Sequence, residues 1–398
     1  MKNRIVTAAL MTIATSQFAF GAGSVIARLR PNVDEEQVKI ALGLGIEDST
    51  PFDRFILIEV PDTFCVENVE AMLENLNLAE WATEQCDMCS PGHSEAPKSQ
   101  GRLGGKIAAV FGSAVMNELN STLMQQIRYQ YTPFTSSQRT VRVGVLDTGF
   151  SSQFPKLSTR FAASYNAFNG EHRAIDQPER VDSNGSGTYD DAVGHGTFVT
   201  GLILALAPNA SIVNVKVADA DGIATSWSII KGLTFAKANG CEIVNLSFGS
   251  LDEIPGLDKM IDWCDENGIT VVAPSGNDAL SRLLYPAKED KVISVGSVDS
   301  KDRKSPWSNF SSRLKFSAPG ENLVSTFWDG DLVSWSGTSF ANAVVTGVIA
   351  DRMRSLPVQS SQNLRRFLYR RGVNINPVNP NFIDKVGVRI DWPLMNQR

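Results

Sequence analysis

Histidine is scarce in this 398-residue chain, which has only His93, His172 and His195, so few side chains are available as a neutral-pH base. Cysteine is scarce too. Its five copies are an odd number, so they cannot all pair within one chain. Positive charge is in deficit, with 37 Lys and Arg against 43 Asp and Glu and a net charge of −6. That balance gives no electrostatic reason to expect nucleic acid or an anionic membrane as a partner. Beyond the N-terminal region no apolar run reaches the length of a membrane helix, and there are no internal repeats or low-complexity tracts. No Asp-rich loop has calcium-ligand spacing, so no cofactor is expected and calcium is unsupported. Cys86-x-x-Cys89 lacks two further ligands for zinc, with Cys65 and His93 only loose candidates. What remains is a chain with 42% apolar and 20% charged residues, enough for a large core.

Three short segments carry the chemistry: Val143-Gly-Val-Leu-Asp147-Thr-Gly149, Gly194-His195-Gly-Thr197 and Ser336-Gly-Thr-Ser339-Phe-Ala341. They supply a carboxylate, an imidazole and a hydroxyl in that order. A serine hydroxyl attacks poorly until a base takes its proton, and a carboxylate behind the imidazole fixes its tautomer. Arg142 to Leu146 reads as a buried parallel strand with Asp147 at its carboxyl end, where open α/β sheets place their sites. His195 precedes the apolar run Phe198 to Leu206, at a turn from loop into helix. Ser339 opens a second apolar helix, Phe340 to Met353. Each residue alone has a structural reading: Asp147 caps a turn, His195 begins a helix, and Ser339 is an N-cap. All three together favour nucleophilic catalysis, with His93 and His172 lacking a comparable Gly-flanked setting.

These contexts, in the order Asp, His, Ser, resemble the subtilisin-like serine proteases, or subtilases. The resemblance runs from about residue 115 to the C-terminus. It implies an α/β fold with a mostly parallel central sheet and helices on both faces. It further implies catalytic roles for Asp147, His195 and Ser339 and an oxyanion donor in Asn277, within Ala273-Pro-Ser-Gly-Asn277; in isolation Asn277 reads as a turn residue. Gly222, Ile223 and Ala224 resemble one wall of a cleft that binds an extended peptide. Ser247, Phe248 and Gly249 with Ala273, Pro274, Ser275 and Gly276 resemble the opposite wall and the pocket before the scissile bond. Two positions depart from the family pattern. Phe198 stands where a second His is usual and Ala343 where Pro is usual; neither supplies a triad atom, so altered local geometry is expected without loss of chemistry.

At the N-terminus, Lys2 and Arg4 precede the apolar run Ile5 to Ala14, and Ala19, Gly21 and Ala22 follow, a signal-peptide pattern over residues 1–21. The protein is therefore expected to be secreted or periplasmic, with no stable membrane anchor. Residues 22–90 alternate strand-like and helical stretches, predicting a small α+β sheet with two helices on one face. This unit resembles a subtilase propeptide, which implies an intramolecular inhibitor; a permanent accessory domain is the alternative. Residues 91–114 form a processing linker and 115–398 the catalytic domain. The expected partners are protein or peptide substrates, and a monomer is expected. A catalytically silent binding protein and an ester hydrolase are the competing functions. Cys241, before a strand, and Cys264, near the end of the next helix, are candidates for a disulfide. The arginines from Arg365 to Arg371 read as a solvated helix face.

Overall fold

The computed structural model describes residues 23–50, 53–61, 64–85, 87–89, 102–103, 117–131, 135, 138–171, 173–251, 253, 256–356 and 360–393. The expected signal peptide, nearly all of the linker, His93, His172 and Cys86 lie outside these residues. The chain divides into two units, Met1–Cys86 and Asp87–Arg398.

The first unit is a four-stranded antiparallel sheet in the order β2 (Ile46–Ser49), β3 (Phe55–Val60), β1 (Gly23–Leu29), β4 (Ala79–Glu84). Period-2 alternation puts Val25, Ala27 and Leu29 of β1 in one apolar core with Ile56, Ile58 and Val60 of β3. The helices Glu35–Leu42 and Val66–Asn75 contribute Val38, Leu42, Val69 and Leu73 to the same core. The first of these helices starts with a capping box. The Asp34 carboxylate accepts the Gln37 N–H at 2.9 Å, and the Gln37 side chain accepts the Asp34 N–H. Strand β2 is an addition to the sequence reading. Its Ile-Glu-Asp-Ser stretch has no apolar alternation and is held by edge pairing to β3.

The second unit is built on a nine-stranded sheet, numbered on in chain order. From one edge the strands run β17 (Val373–Asn374), β18 (Val388–Arg389), β14 (Phe316–Pro319), β13 (Ile293–Val298), β12 (Thr270–Pro274), β11 (Ile243–Leu246), β7 (Arg142–Asp147), β9 (Ser211–Lys216), β8 (Phe161–Asn166). Every pairing is parallel except β17 with β18. Strand β7 shows why the sheet is covered twice. Val143 and Val145 join the cluster that holds the helices His195–Leu206 and Thr338–Met353. Gly144 and Leu146, with opposite side-chain direction, lie against Ala236 and Gly232 of the helix Ser226–Ala238. A strand apolar on both faces is the mark of a buried parallel sheet.

The helices His195–Leu206 and Thr338–Met353 are buried along their whole length. Gly347 lets them meet, since a Cβ there would sit 2.8 Å from Leu206 Cβ and 3.2 Å from the Ile203 carbonyl oxygen. Two boundaries differ from the sequence reading. The Ser339 helix begins at Thr338, one residue ahead of Ser339, because the turn of Ser336 and Gly337 already delivers the chain into helical geometry. The basic helix ends at Tyr369, not Arg371.

Cys241 and Cys264 are both buried, and both are free thiols, not a disulfide. Cys241 Sγ is aimed at neighbouring strand β7, 3.5 Å from where a Gly144 Cβ would stand, so it is packed into the sheet. Burial pushes its thiol pKa up to about 12 and that of Cys264 further still, which keeps both thiols protonated and inert.

Candidate active site

Strand β7 ends on Asp147, fully buried at the carboxyl edge of the sheet. Its Oδ1 accepts the Thr148 N–H at 2.8 Å and lies 2.7 Å from His195 Nδ1. His195 is the first residue of its helix and follows Gly194, whose φ of 89° is left-handed. The glycine after it is required by contact. A Cβ on Gly196 would stand 2.3 Å from the Gly149 carbonyl oxygen, so only glycine lets the histidine segment lie against the Asp147-Thr-Gly149 turn. Ser339 sits in the first turn of the helix Thr338–Met353, at the positive end of its dipole.

His195 Nε2 and Ser339 Oγ are both buried and have no hydrogen-bond partner among the described residues. The carboxylate–imidazole pair is therefore assembled, whereas the imidazole–hydroxyl bond is not made. Such bonds commonly close only around a bound substrate. The imidazole is held by aromatic rings: Trp335 meets it edge-on at 6.0 Å and Phe340 lies at 5.5 Å. Phe198, the departure from the family pattern, is fully buried behind them, 4.4 Å from Phe340 and 5.8 Å from Trp335. The altered geometry expected at that position is thus an apolar extension of the wall around His195. Ala343 is fully buried within the helix.

Several supporting residues carry no signal in the sequence. Asp176, far from any motif, is buried beside the histidine. Its Oδ1 accepts the Gly194 N–H at 2.9 Å, and its Oδ2 accepts the Thr197 N–H at 3.0 Å and hydroxyl at 2.6 Å. This carboxylate holds the chain on both sides of His195 and caps its helix. Burial pushes its pKa up, while the Thr197 hydroxyl, the Gly194 N–H and the Lys216 ammonium pull the other way. On the serine side, Asn245 of β11 accepts hydrogen bonds from Asn342 Nδ2 at 2.9 Å and the Thr346 hydroxyl at 3.0 Å, fastening the Ser339 helix to the sheet.

The remaining residues singled out in the sequence fall on the same edge of the sheet. Asn277 follows β12, with Ala273 and Pro274 at the strand end and Ser275 and Gly276 between. Its Oδ1 accepts the Thr338 N–H at 3.0 Å and the Thr338 hydroxyl at 2.8 Å, so the Nδ2 end of the amide is the end presented away from Thr338. Ser247, Phe248 and Gly249 follow β11; the Phe248 side chain is fully buried, which leaves backbone as its contribution to a wall. Gly222 turns with φ of 84° into β10, Ile223–Thr225. The short strand β5, Asp87–Cys89, pairs antiparallel with β10, Cys89 opposite Ile223 and Asp87 opposite Thr225. Among the described residues no group of three or more His, Cys, Asp or Glu is arranged to hold a metal ion.

A carboxylate–imidazole pair, and a helix-borne serine whose neighbour Phe340 packs 5.5 Å from the imidazole, on the carboxyl edge of a parallel α/β sheet, fit one class: a serine hydrolase. The family model described as the subtilase family matches residues 138–381. Subtilisin BL of Lederbergia lenta is 33% identical over 248 residues, covering 60% of this chain and 86% of that protein. Subtilisin DY of Bacillus licheniformis is 31% identical over 248 residues, covering 59% and 84%. Fervidolysin from Fervidobacterium pennivorans, a solved structure, shares the fold with a TM-score of 0.72 at 19% identity, over 96% of this chain and 62% of that one. The chain belongs to the subtilase family and is a serine endopeptidase.

Proposed function

We propose that the protein is an exported endopeptidase made as a precursor, which removes its own N-terminal unit through an Asp147–His195–Ser339 triad. In this mechanism Ser339 Oγ attacks the peptide carbonyl while His195 Nε2 takes its proton. Asn277 Nδ2 and the Ser339 backbone N–H hold the oxyanion of the tetrahedral intermediate. Collapse expels the amine, which leaves with the proton from His195, and water hydrolyses the acyl-enzyme by the same steps. Asp147 keeps Nδ1 protonated and stabilises the imidazolium. The observation that carries the triad is the 2.7 Å Asp147–His195 contact, with Nε2 and Ser339 Oγ both unengaged beside it.

The antiparallel seat of residues 87–89 on Ile223–Thr225 supports self-processing, because that is how an extended peptide adds a strand to a sheet edge. Export rests on the signal-peptide pattern; no helix among the described residues is long and apolar enough to cross a membrane. Intact-mass measurement and N-terminal mapping of the chain lacking residues 1–21 test the proposal. The wild type is expected to lose its N-terminal unit and Ser339→Ala to stay full length. Two full-length proteins would refute self-processing.

Asn277 has its own expected effect. Asn277→Ala removes one oxyanion donor and is expected to lower kcat by roughly 10²–10³ with KM little changed. A change confined to KM would show that Asn277 binds substrate without stabilising the transition state.

A further inference from the structure

Three of the arginines read as a solvated face have another setting. Arg365, Arg366 and Arg370, at the C-terminal half of the helix Ser361–Tyr369 and just past it, line a cavity of about 300 Å³ together with Lys315 and the exposed carboxylate of Asp290. The floor is apolar, formed by Ile293, Leu314 and Phe316, all buried. Tyr369 is 50% exposed and stands edge-on to Phe316 at 6.2 Å. The fourth arginine, Arg371, stacks its guanidinium 4.0 Å from the Phe367 ring and takes no part in the lining.

The charges are unequal in their engagement. Arg365 is paired with Asp265 at 3.0 Å and donates to the Lys291 carbonyl. Lys315 and Arg313 share Asp290 at 3.7 and 3.2 Å. Arg366 and Arg370, one helical turn apart and both exposed, form no ion pair among the described residues. Like charges at that spacing repel, and an anion between them removes the repulsion. A second cavity of about 350 Å³ shares Ser312, Leu314 and Tyr369 with the first and continues past Asn374 and Val388, along the antiparallel edge of β17 and β18. The two together make a groove over buried Leu314, basic at one end and carrying Asp384 at the other.

We propose that this groove is a docking site for an acidic peptide segment of a protein substrate, its carboxylates held by Arg366 and Arg370 and a neighbouring apolar side chain seated against the exposed Tyr369 ring. The chemistry of the lining favours this ligand: the guanidinium groups of Arg366 and Arg370 fit carboxylates, and the Tyr369 ring offers apolar surface beside them. In a chain of net charge −6 the patch is a local attractor for acidic segments. The groove is separate from the triad. Ile293 and Phe316 open strands β13 and β14, whereas Asp147 and Asn277 stand at the carboxyl ends of the sheet. Docking there adds affinity for a protein that reaches both places and leaves the bond-breaking step untouched.

The test uses the full chain carrying Ser339→Ala, so that the probe survives, and a fluorescein-labelled hexapeptide, Asp-Glu-Phe-Leu-Glu-Asp, followed by anisotropy. Saturable binding is expected, weakened about tenfold by Arg366→Gln with Arg370→Gln. It is expected to weaken by the same factor when the probe's four acids are replaced by Asn and Gln. Tyr369→Ala is expected to weaken binding without altering its dependence on salt. The double arginine change in the active enzyme is expected to leave hydrolysis of a short uncharged chromogenic peptide unaltered. Absence of saturable binding would overturn the proposal, as would equal binding of acidic and amide probes or equal binding by the double variant. Loss of chromogenic-peptide hydrolysis in the double variant would overturn the separation from the cleft.

Discussion

Ser339→Ala lowers kcat for peptide hydrolysis by roughly 10⁶-fold, the scale set by the same deletion in subtilisin, with KM changed only a few-fold. In the proposed mechanism the change removes the one oxygen that becomes covalently attached to the acyl group. His195 then has no hydroxyl to deprotonate, and hydrolysis must proceed by direct attack of water. A residual acceleration is expected to survive, because in the proposed mechanism Asn277 and the Ser339 backbone N–H still stabilise an oxyanion. Alanine at this position keeps the helix, since Ser339 Oγ makes no hydrogen bond that the fold would miss. A loss of activity accompanied by a large fall in melting temperature would point instead to a structural role for Ser339.

Asp147→Asn is the second large effect, a fall in kcat of roughly 10⁴-fold near neutral pH. Asp147 Oδ1 is engaged by both the Thr148 N–H and His195 Nδ1. An asparagine that turns its oxygen toward Thr148 keeps both donors but has no charge to stabilise the imidazolium. One that turns its NH₂ toward the ring forces the proton onto Nε2, where it blocks acceptance from Ser339. Either orientation removes a contribution made in the transition state, so kcat and kcat/KM fall together. A change of tenfold or less would mean that the 2.7 Å pair is structural and that another group orients His195.

The two effects rest on residues that the sequence could nominate, because the motifs that carry them are local: glycines that permit close approach stand beside each proposed triad side chain. Gly196 against the Gly149 carbonyl shows why such a short motif is so restrictive. The central sheet was legible for a similar reason, as Val-rich stretches apolar on both faces have few other uses. What was hidden depends on long-range contact. Asp176 looks like any loop aspartate until folding brings it beneath Gly194 and Thr197. Asn245 looks like a polar residue misplaced in a strand until Asn342 and Thr346 are found opposite it. Phe198 reads as a departure from the family because its partners, Trp335 and Phe340, are more than a hundred residues away in the chain. The Cys241–Cys264 disulfide failed because strand and helix direction fix which end of the sheet a thiol is near, not which way it points. The arginine helix has the exposed face that its spacing suggests, but helical spacing alone does not show that this face also lines a cavity.

The most direct test of the account is covalent labelling by a fluorophosphonate, followed by peptide mapping of the adduct. One phosphonylated residue, Ser339, is expected, with labelling abolished by His195→Ala and slowed by Asp147→Asn. An unlabelled wild type, or an adduct on any other serine, would contradict it.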